Sequence, residues 1–163
     1  SLMMPAFAEE VVGTDALGLG LLLAAGAVGA VLSTVVVTRI HEGQRGRAVF
    51  LSSLLLPLTM IAFSSSGWLP VACFILLLAG LIQSVLHAES TTLLQMGVPD
   101  RVRGRVMSLY GMLIIGVPKL SGMLIGGLAE SIGLPLTIAL SGVLGLLYVL
   151  GLHLLMPSVR RQA

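Results

Sequence analysis

The chain has 163 residues, of which 56% are hydrophobic and only 10% are charged, and its mean hydropathy is +1.07. Soluble domains carry about 25% charged residues, and a single core of this length could not enclose so much apolar side chain. Composition therefore excludes an ordinary soluble domain and predicts a protein whose solvent is a lipid bilayer.

Five apolar segments are long enough to cross a bilayer as helices, which takes about 20 residues each. They cover residues 16–40, 48–66, 69–94, 106–129 and 134–156. The alternation of apolar and polar residues that marks membrane β-strands is absent from the sequence. We therefore predict an all-α fold, a polytopic membrane helical bundle with five transmembrane helices in residues 13–163. Residues 1–12 are too few to cross and are predicted to end a preceding helix.

Basic residues fall almost entirely on one side of these five spans. Eight of the nine share that side: Arg39, Arg45, Arg47, Arg101, Arg103, Arg105, Arg160 and Arg161. The positive-inside rule assigns this side, and with it the C-terminus, to the cytoplasm. The isoelectric point of 9.2 reflects this asymmetry and indicates no nucleic-acid partner.

A cytoplasmic C-terminus places the N-terminal end of five spans on the outer side, with Glu9 and Glu10 directly ahead of the first complete span. A preceding helix would resolve this arrangement. We therefore expect the chain to be the C-terminal part of a longer polytopic protein, and a complete five-span protein is the alternative.

Small residues recur at intervals of four on three spans, which is typical of helix contacts in lipid. These residues are Ala25, Gly29 and Ser33 on the first span, Pro118, Gly122 and Gly126 on the fourth, and Ser141 and Gly145 on the fifth. The leucine-rich second span has few small residues, and we expect it to face lipid.

The third span is the most polar of the five. Ser84, His87, Thr91 and Gln95 form one helical stripe, and Gln83 borders it. Such a stripe is expected to face a bundle interior or a watery cavity, with hydrogen bonding between helices as the alternative. Glu89 lies off the stripe, and we expect it to pair with an arginine of the basic loops in a structural or gating role, with proton carrying as the alternative.

The loop MGVPDRVRGRVMSLYGM, residues 96–112, joins the third and fourth spans. Pro99 ends one helix, and Asp100 is placed to cap the next, where a negative charge suits the helix N-terminus. Arg103 and Arg105 can pair with acids or with lipid phosphates at the interface.

This loop, followed by a span that ends GGLAESIG, resembles the region joining helices ten and eleven of major facilitator superfamily exporters. The group it most resembles is the bacterial drug, macrolide and siderophore exporters. The resemblance implies that residues 1–12 end helix seven and that the five spans are helices eight to twelve.

The resemblance also implies a function, namely proton-coupled export of small molecules by alternating access in the bacterial cytoplasmic (inner) membrane. The implied partners are membrane lipids, a small-molecule substrate, protons and a missing N-terminal half, and no cofactor or metal is expected. A non-transporting membrane module, or a truncated remnant of a transporter, is the alternative. An enzyme is not expected, because the sequence has no H-E-x-x-H or G-x-S-x-G motif.

The loop TRIHEGQRGRAVF falls where the superfamily repeats a glycine- and arginine-rich signature. Gly46 and Arg47 match its G-R pair, and the other signature positions differ. Together with the charged residues described above, the candidates for a gating or loop role are Glu89, Asp100, Arg101, Arg103, Arg105, Gly46 and Arg47.

Lys119 interrupts the apolar run LIIGVPKLSGMLIGG. A lysine at the centre of a membrane helix costs about 2.5–3.5 kcal/mol, so we expect it to face a cavity or a polar partner such as Gln83. Pro118 removes a hydrogen-bond donor and predicts a bend there, packed by Gly122 and Gly126. The cavity candidates are therefore Lys119, Gln83, Ser84, His87 and Thr91, with a bias toward anionic substrates. Snorkelling or pairing within the bundle is the alternative for Lys119.

Overall fold

The computed structural model describes the backbone of residues 16–155 and the side chains of residues 17–122, 133 and 136–151. Five α-helices occupy that part of the chain: α1 Ala16–Val37, α2 Arg45–Ser64, α3 Leu69–Gly97, α4 Asp100–Ile132 and α5 Leu134–Leu155. A short 3₁₀ turn, Glu42–Gln44, precedes α2. The predicted all-α helical bundle is confirmed. The predicted end of a preceding helix, residues 1–12, lies outside the described residues.

Three described segments are long and apolar enough to cross a membrane: Leu17–Val37, Glu42–Ser64 and Leu69–Gly97. The apolar part of α5 within the described residues is shorter, Leu136–Gly151. Two helices begin earlier than the apolar segments suggested, α2 at Arg45 and α4 at Asp100. Their first turns are charged, so apolar length alone places these helix starts too late.

The backbones of α1 and α3 approach each other closely enough to leave no room for side chains. A Cβ atom added to Gly29 would overlap the carbonyl oxygen of Leu77, and one added to Gly80 would overlap the carbonyl oxygen of Gly26. Gly29 is buried, as is Ser33 one turn further along. The glycines therefore permit this crossing, in agreement with the helix contact predicted for the first span.

The core of the described bundle forms where α1, α2 and α3 meet. Its buried side chains are Leu22, Phe63, Ala72 and Leu76, and Ile138 of α5 packs against them. Since one helix contributes two of these four residues, α3 is the element against which α1 and α2 are both arranged.

The second helix, α2, lies between α3 and α5. A Cβ atom on Gly142 of α5 would stand 2.7 Å from the Cγ1 atom of Ile61, and one on Gly145 would stand 3.5 Å from the Cγ atom of Pro57. On another side of α2 the leucines 51, 55 and 58 are 54%, 44% and 43% exposed. The leucine-rich helix thus exposes one apolar stripe, and its other sides pack against α3 and α5.

The fourth helix packs loosely. Gly133, with a φ of +85°, connects α4 to α5. The backbone of α4 approaches that of α5 but has few close approaches to α3. Asp100 is the first residue of α4, and the carbonyl of Pro99 accepts hydrogen bonds from the amides of Val102 and Arg103. Asp100 is therefore one position too late to be the predicted cap, although its charge stands in the first turn as expected.

The close crossing of α1 and α3 predicts a strong effect of one methyl group. Gly80→Ala should destabilise the bundle by about 1–3 kcal/mol, because the added carbon must displace backbone. Gly20→Ala is the matched control, since a Cβ at Gly20 would have no described atom within 4 Å. Thermal melting in detergent should show a lower midpoint for Gly80→Ala alone. Equal midpoints for the two variants would contradict the crossing.

Candidate functional site

A groove of about 600 Å³ separates α3 from α4. Four residues of α3 line it: Gln83, Leu86, His87 and Ser90. Five residues of α4 line its other wall: Tyr110, Leu113, Ile114, Val117 and Pro118. Both sets follow the three- and four-residue spacing of a single helix face. The groove exists because these two faces are turned toward each other while the helix backbones stay apart.

Two aromatic rings come together across the groove. The rings of His87 and Tyr110 stack with centroids 6.3 Å apart and planes inclined by 26°. The hydroxyl of Thr91 donates to the carbonyl oxygen of His87 at 2.7 Å, and it lies 3.4 Å from the Tyr110 hydroxyl. These contacts link α3 to α4 at the end of the groove nearest the connecting turn, Val98–Pro99.

The described lining of the groove is apolar with a few polar groups and carries no Lys, Arg, Asp or Glu side chain. Leucine, isoleucine, valine and proline form most of the surface, and Gln83, His87, Ser90 and Tyr110 supply hydrogen-bond donors and acceptors. An apolar cleft with a small number of placed polar groups is the usual form of a small-molecule site.

The structure brings together some of the predicted cavity residues and separates others. Gln83 and His87 line the groove, and Thr91 reaches its edge through Tyr110. Ser84 is half-buried beside the groove and does not line it.

Lys119 is exposed and does not line the groove. Nine residues separate it from Tyr110, about two and a half helical turns, so the two side chains point to opposite sides of α4. The prediction that Lys119 shares a cavity with Gln83 therefore does not fit this geometry. The sequence of α4 alone could not show which of its faces turns toward α3.

The three residues predicted to form a bend and a packing face are also separated. Pro118 lines the groove, within a helix that continues on both sides of it. A Cβ atom at Gly122 would have nothing within 4 Å among the described atoms. The surroundings of Gly126 lie outside the described side chains.

Glu89 meets an arginine, as predicted, and the partner is Arg45. Their side chains approach to 3.5 Å, with the glutamate side chain 1% exposed and the arginine side chain 22% exposed. The Nε atom of Arg45 is buried without a hydrogen-bond partner among the described atoms. This ion pair joins the first residue of α2 to α3. Sequence reasoning identified the acid and missed the partner, because three arginines lie close together in that loop.

Arg103 fixes the turn between α3 and α4. Its Nε atom donates to the carbonyl oxygen of Gln95 at 3.2 Å and its Nη2 atom to that of Val98 at 3.4 Å, and it forms an ion pair with Asp100. The same guanidinium thus satisfies carbonyls at the end of one helix and the acid that starts the next.

The other loop candidates lie apart from these two pairs. Arg101, Arg105 and Arg47 are exposed, and Gly46 is half-buried. Within the described residues no three His, Cys, Asp or Glu side chains are grouped as metal ligands. We call the side of the bundle that carries the basic loops the basic edge; among its described arginines, Arg45 and Arg103 have the contacts given above.

The buried ion pair predicts unequal effects of removing its two partners. Arg45→Gln should destabilise the bundle more than Glu89→Gln, because it leaves a buried carboxylate without a counter-charge, at a cost of about 3–5 kcal/mol. The double variant should be less destabilised than the sum of the single variants. Thermal melting of all four proteins in detergent measures this. Strict additivity would show that the two side chains do not interact.

Comparison with known families agrees with these features. The family described as transmembrane secretion effector, of the major facilitator type, matches residues 1–162. No curated protein and no solved structure gives a significant match. The match spans nearly the whole chain and accords with the apolar helices of the bundle. The chain therefore belongs to the transmembrane secretion effector family of the major facilitator superfamily and is an integral membrane protein of the transporter type.

Proposed function

We propose that the chain forms helices eight to twelve of a secondary active transporter that exports small molecules by alternating access. Residues 1–12 would end the seventh helix, and a second half of the transporter would complete the substrate site. The observation that carries this proposal is the groove between α3 and α4, the proposed helices ten and eleven, which remains open on one side and combines an apolar wall with a few polar groups.

The lining of the groove points to the class of substrate. Because its described walls have no formal charge and four hydrogen-bonding side chains, they suit an uncharged molecule with a large apolar surface and scattered polar groups. This chemistry is compatible with drug- and macrolide-type export. Lys119 lies on the opposite side of α4, so it gives no reason to expect an anionic substrate in this groove.

His87 is the proposed site of proton coupling. Its ring lines the groove and stacks on Tyr110, so a proton carried by it would lie beside the proposed substrate path. Glu89 is paired with Arg45 away from that lining, which favours a structural or gating role for the carboxylate.

The arrangement of the helices supports alternating access. Arg45 and Glu89 hold α2 to α3, and Arg103 holds the turn after α3, whereas α4 packs loosely against its neighbours. The cytoplasmic side of the proposed inner-membrane protein would be the side of these arginines, in line with the positive-inside rule.

Filling the groove should impair transport. Val117→Trp places a large side chain in the lining and should reduce export about tenfold, because it occupies volume needed by the substrate. Leu147→Trp is the control, since Leu147 lies on α5 and is 59% exposed. Export is measured as substrate extrusion from cells that lack the gene and carry the complete gene with each variant.

Normal export by Val117→Trp at normal protein levels would contradict the assignment of the groove. A wild-type gene that changes neither drug sensitivity nor substrate accumulation would instead favour the non-transporting module.

A further inference from the structure

A second, smaller pocket lies at the start of α2. Its volume is about 270 Å³, and its walls come from Ile40, Gln44, Arg47, Ala48 and Leu51. Arg47 and Gln44 are both exposed, so the pocket has a cationic and amide-bearing mouth above an apolar floor.

The two arginines at this end of α2 face different surroundings. Two residues of an α-helix correspond to about 200° of rotation, so Arg45 and Arg47 point in nearly opposite directions. Arg45 faces α3 and pairs with Glu89. Arg47 forms no ion pair within the described residues. The first turn of α2 contains no acidic residue that could balance its charge.

An apolar stripe continues from this pocket along α2. Leu51 is the pocket's floor, and Leu55 and Leu58 follow at helical spacing; the three are 54%, 44% and 43% exposed. Because Glu42–Ser64 is long and apolar enough to cross a membrane, the pocket lies at one end of that span. In a bilayer crossed by this helix, headgroups would lie at the depth of the pocket and acyl chains beside the stripe.

We infer that this pocket binds an anionic phospholipid, with the phosphate held by Arg47 and Gln44 and one acyl chain along Leu51, Leu55 and Leu58. The charge of the mouth complements a phosphate, and the stripe complements a hydrocarbon chain. On this proposal Arg47, which matches the superfamily's G-R pair, has a lipid partner outside the bundle rather than an acid inside it.

Lipid titration of the purified full chain in detergent, read by native mass spectrometry, tests this site. Wild-type protein should retain phosphatidylglycerol in preference to phosphatidylcholine. Arg47→Ala should weaken phosphatidylglycerol binding about fivefold, and Arg47→Lys should keep most of it. Arg101→Ala, which removes an exposed arginine of the other basic loop, should have no effect.

The acyl-chain part of the site is tested separately. Leu51→Gln should weaken phosphatidylglycerol binding, whereas Leu144→Gln, at a 65% exposed leucine of α5, should not. Melting midpoints confirm that each variant is folded. Tight binding by a folded Arg47→Ala or Leu51→Gln protein, equal losses in Arg47→Ala and Arg101→Ala, or displacement of the lipid by inorganic phosphate would each overturn the inference.

Discussion

The close approach of the α1 and α3 backbones is the constraint on which the rest of this bundle depends. Gly29 on one helix and Gly80 on the other leave no space for side chains at the crossing, so van der Waals contact between the backbones can hold the helices together in lipid. With α1 fixed there, α3 uses another side for α2, including the Arg45–Glu89 pair. The face that carries Gln83 and His87 is left to form the groove opposite α4.

Two kinds of arginine contact occur at the basic edge: an ion pair between helices and hydrogen bonds to the carbonyls at a helix end. Glu89 is buried, so its negative charge needs the guanidinium of Arg45 as a counter-charge. Removing Arg45 would leave a buried, unpaired carboxylate and destabilise the fold. Arg103 instead binds carbonyl oxygens at the end of α3. Both interactions fix the connections around α3 without placing a charge in the groove. The open face of α4 therefore meets α3 mainly through the ring contact of His87 with Tyr110.

The sequence was sufficient to predict the class of fold and one wall of the groove. Bilayer thickness sets helix length, so long apolar segments indicated helices, and periodicity placed Gln83 and His87 on one face of α3. The sequence was not sufficient to show that Tyr110 lines the groove and Lys119 does not. The rotation of α4 about its axis depends on contacts between helices rather than on the pattern of its own residues. Arg45 and Arg47 could not be told apart for the same reason. Only packing shows which of them faces Glu89.

The most direct test of the account is whether substrate occupies the groove between α3 and α4. Cysteines are placed singly at Gln83, Tyr110 and Lys119 in the complete transporter, with Cys73 replaced, and labelled by a water-soluble thiol reagent. We predict that the cysteines at positions 83 and 110 react and that substrate protects both, while labelling at position 119 is not altered by substrate. Cysteines at positions 83 and 110 that never react, or that react equally with and without a transported substrate, would contradict the account.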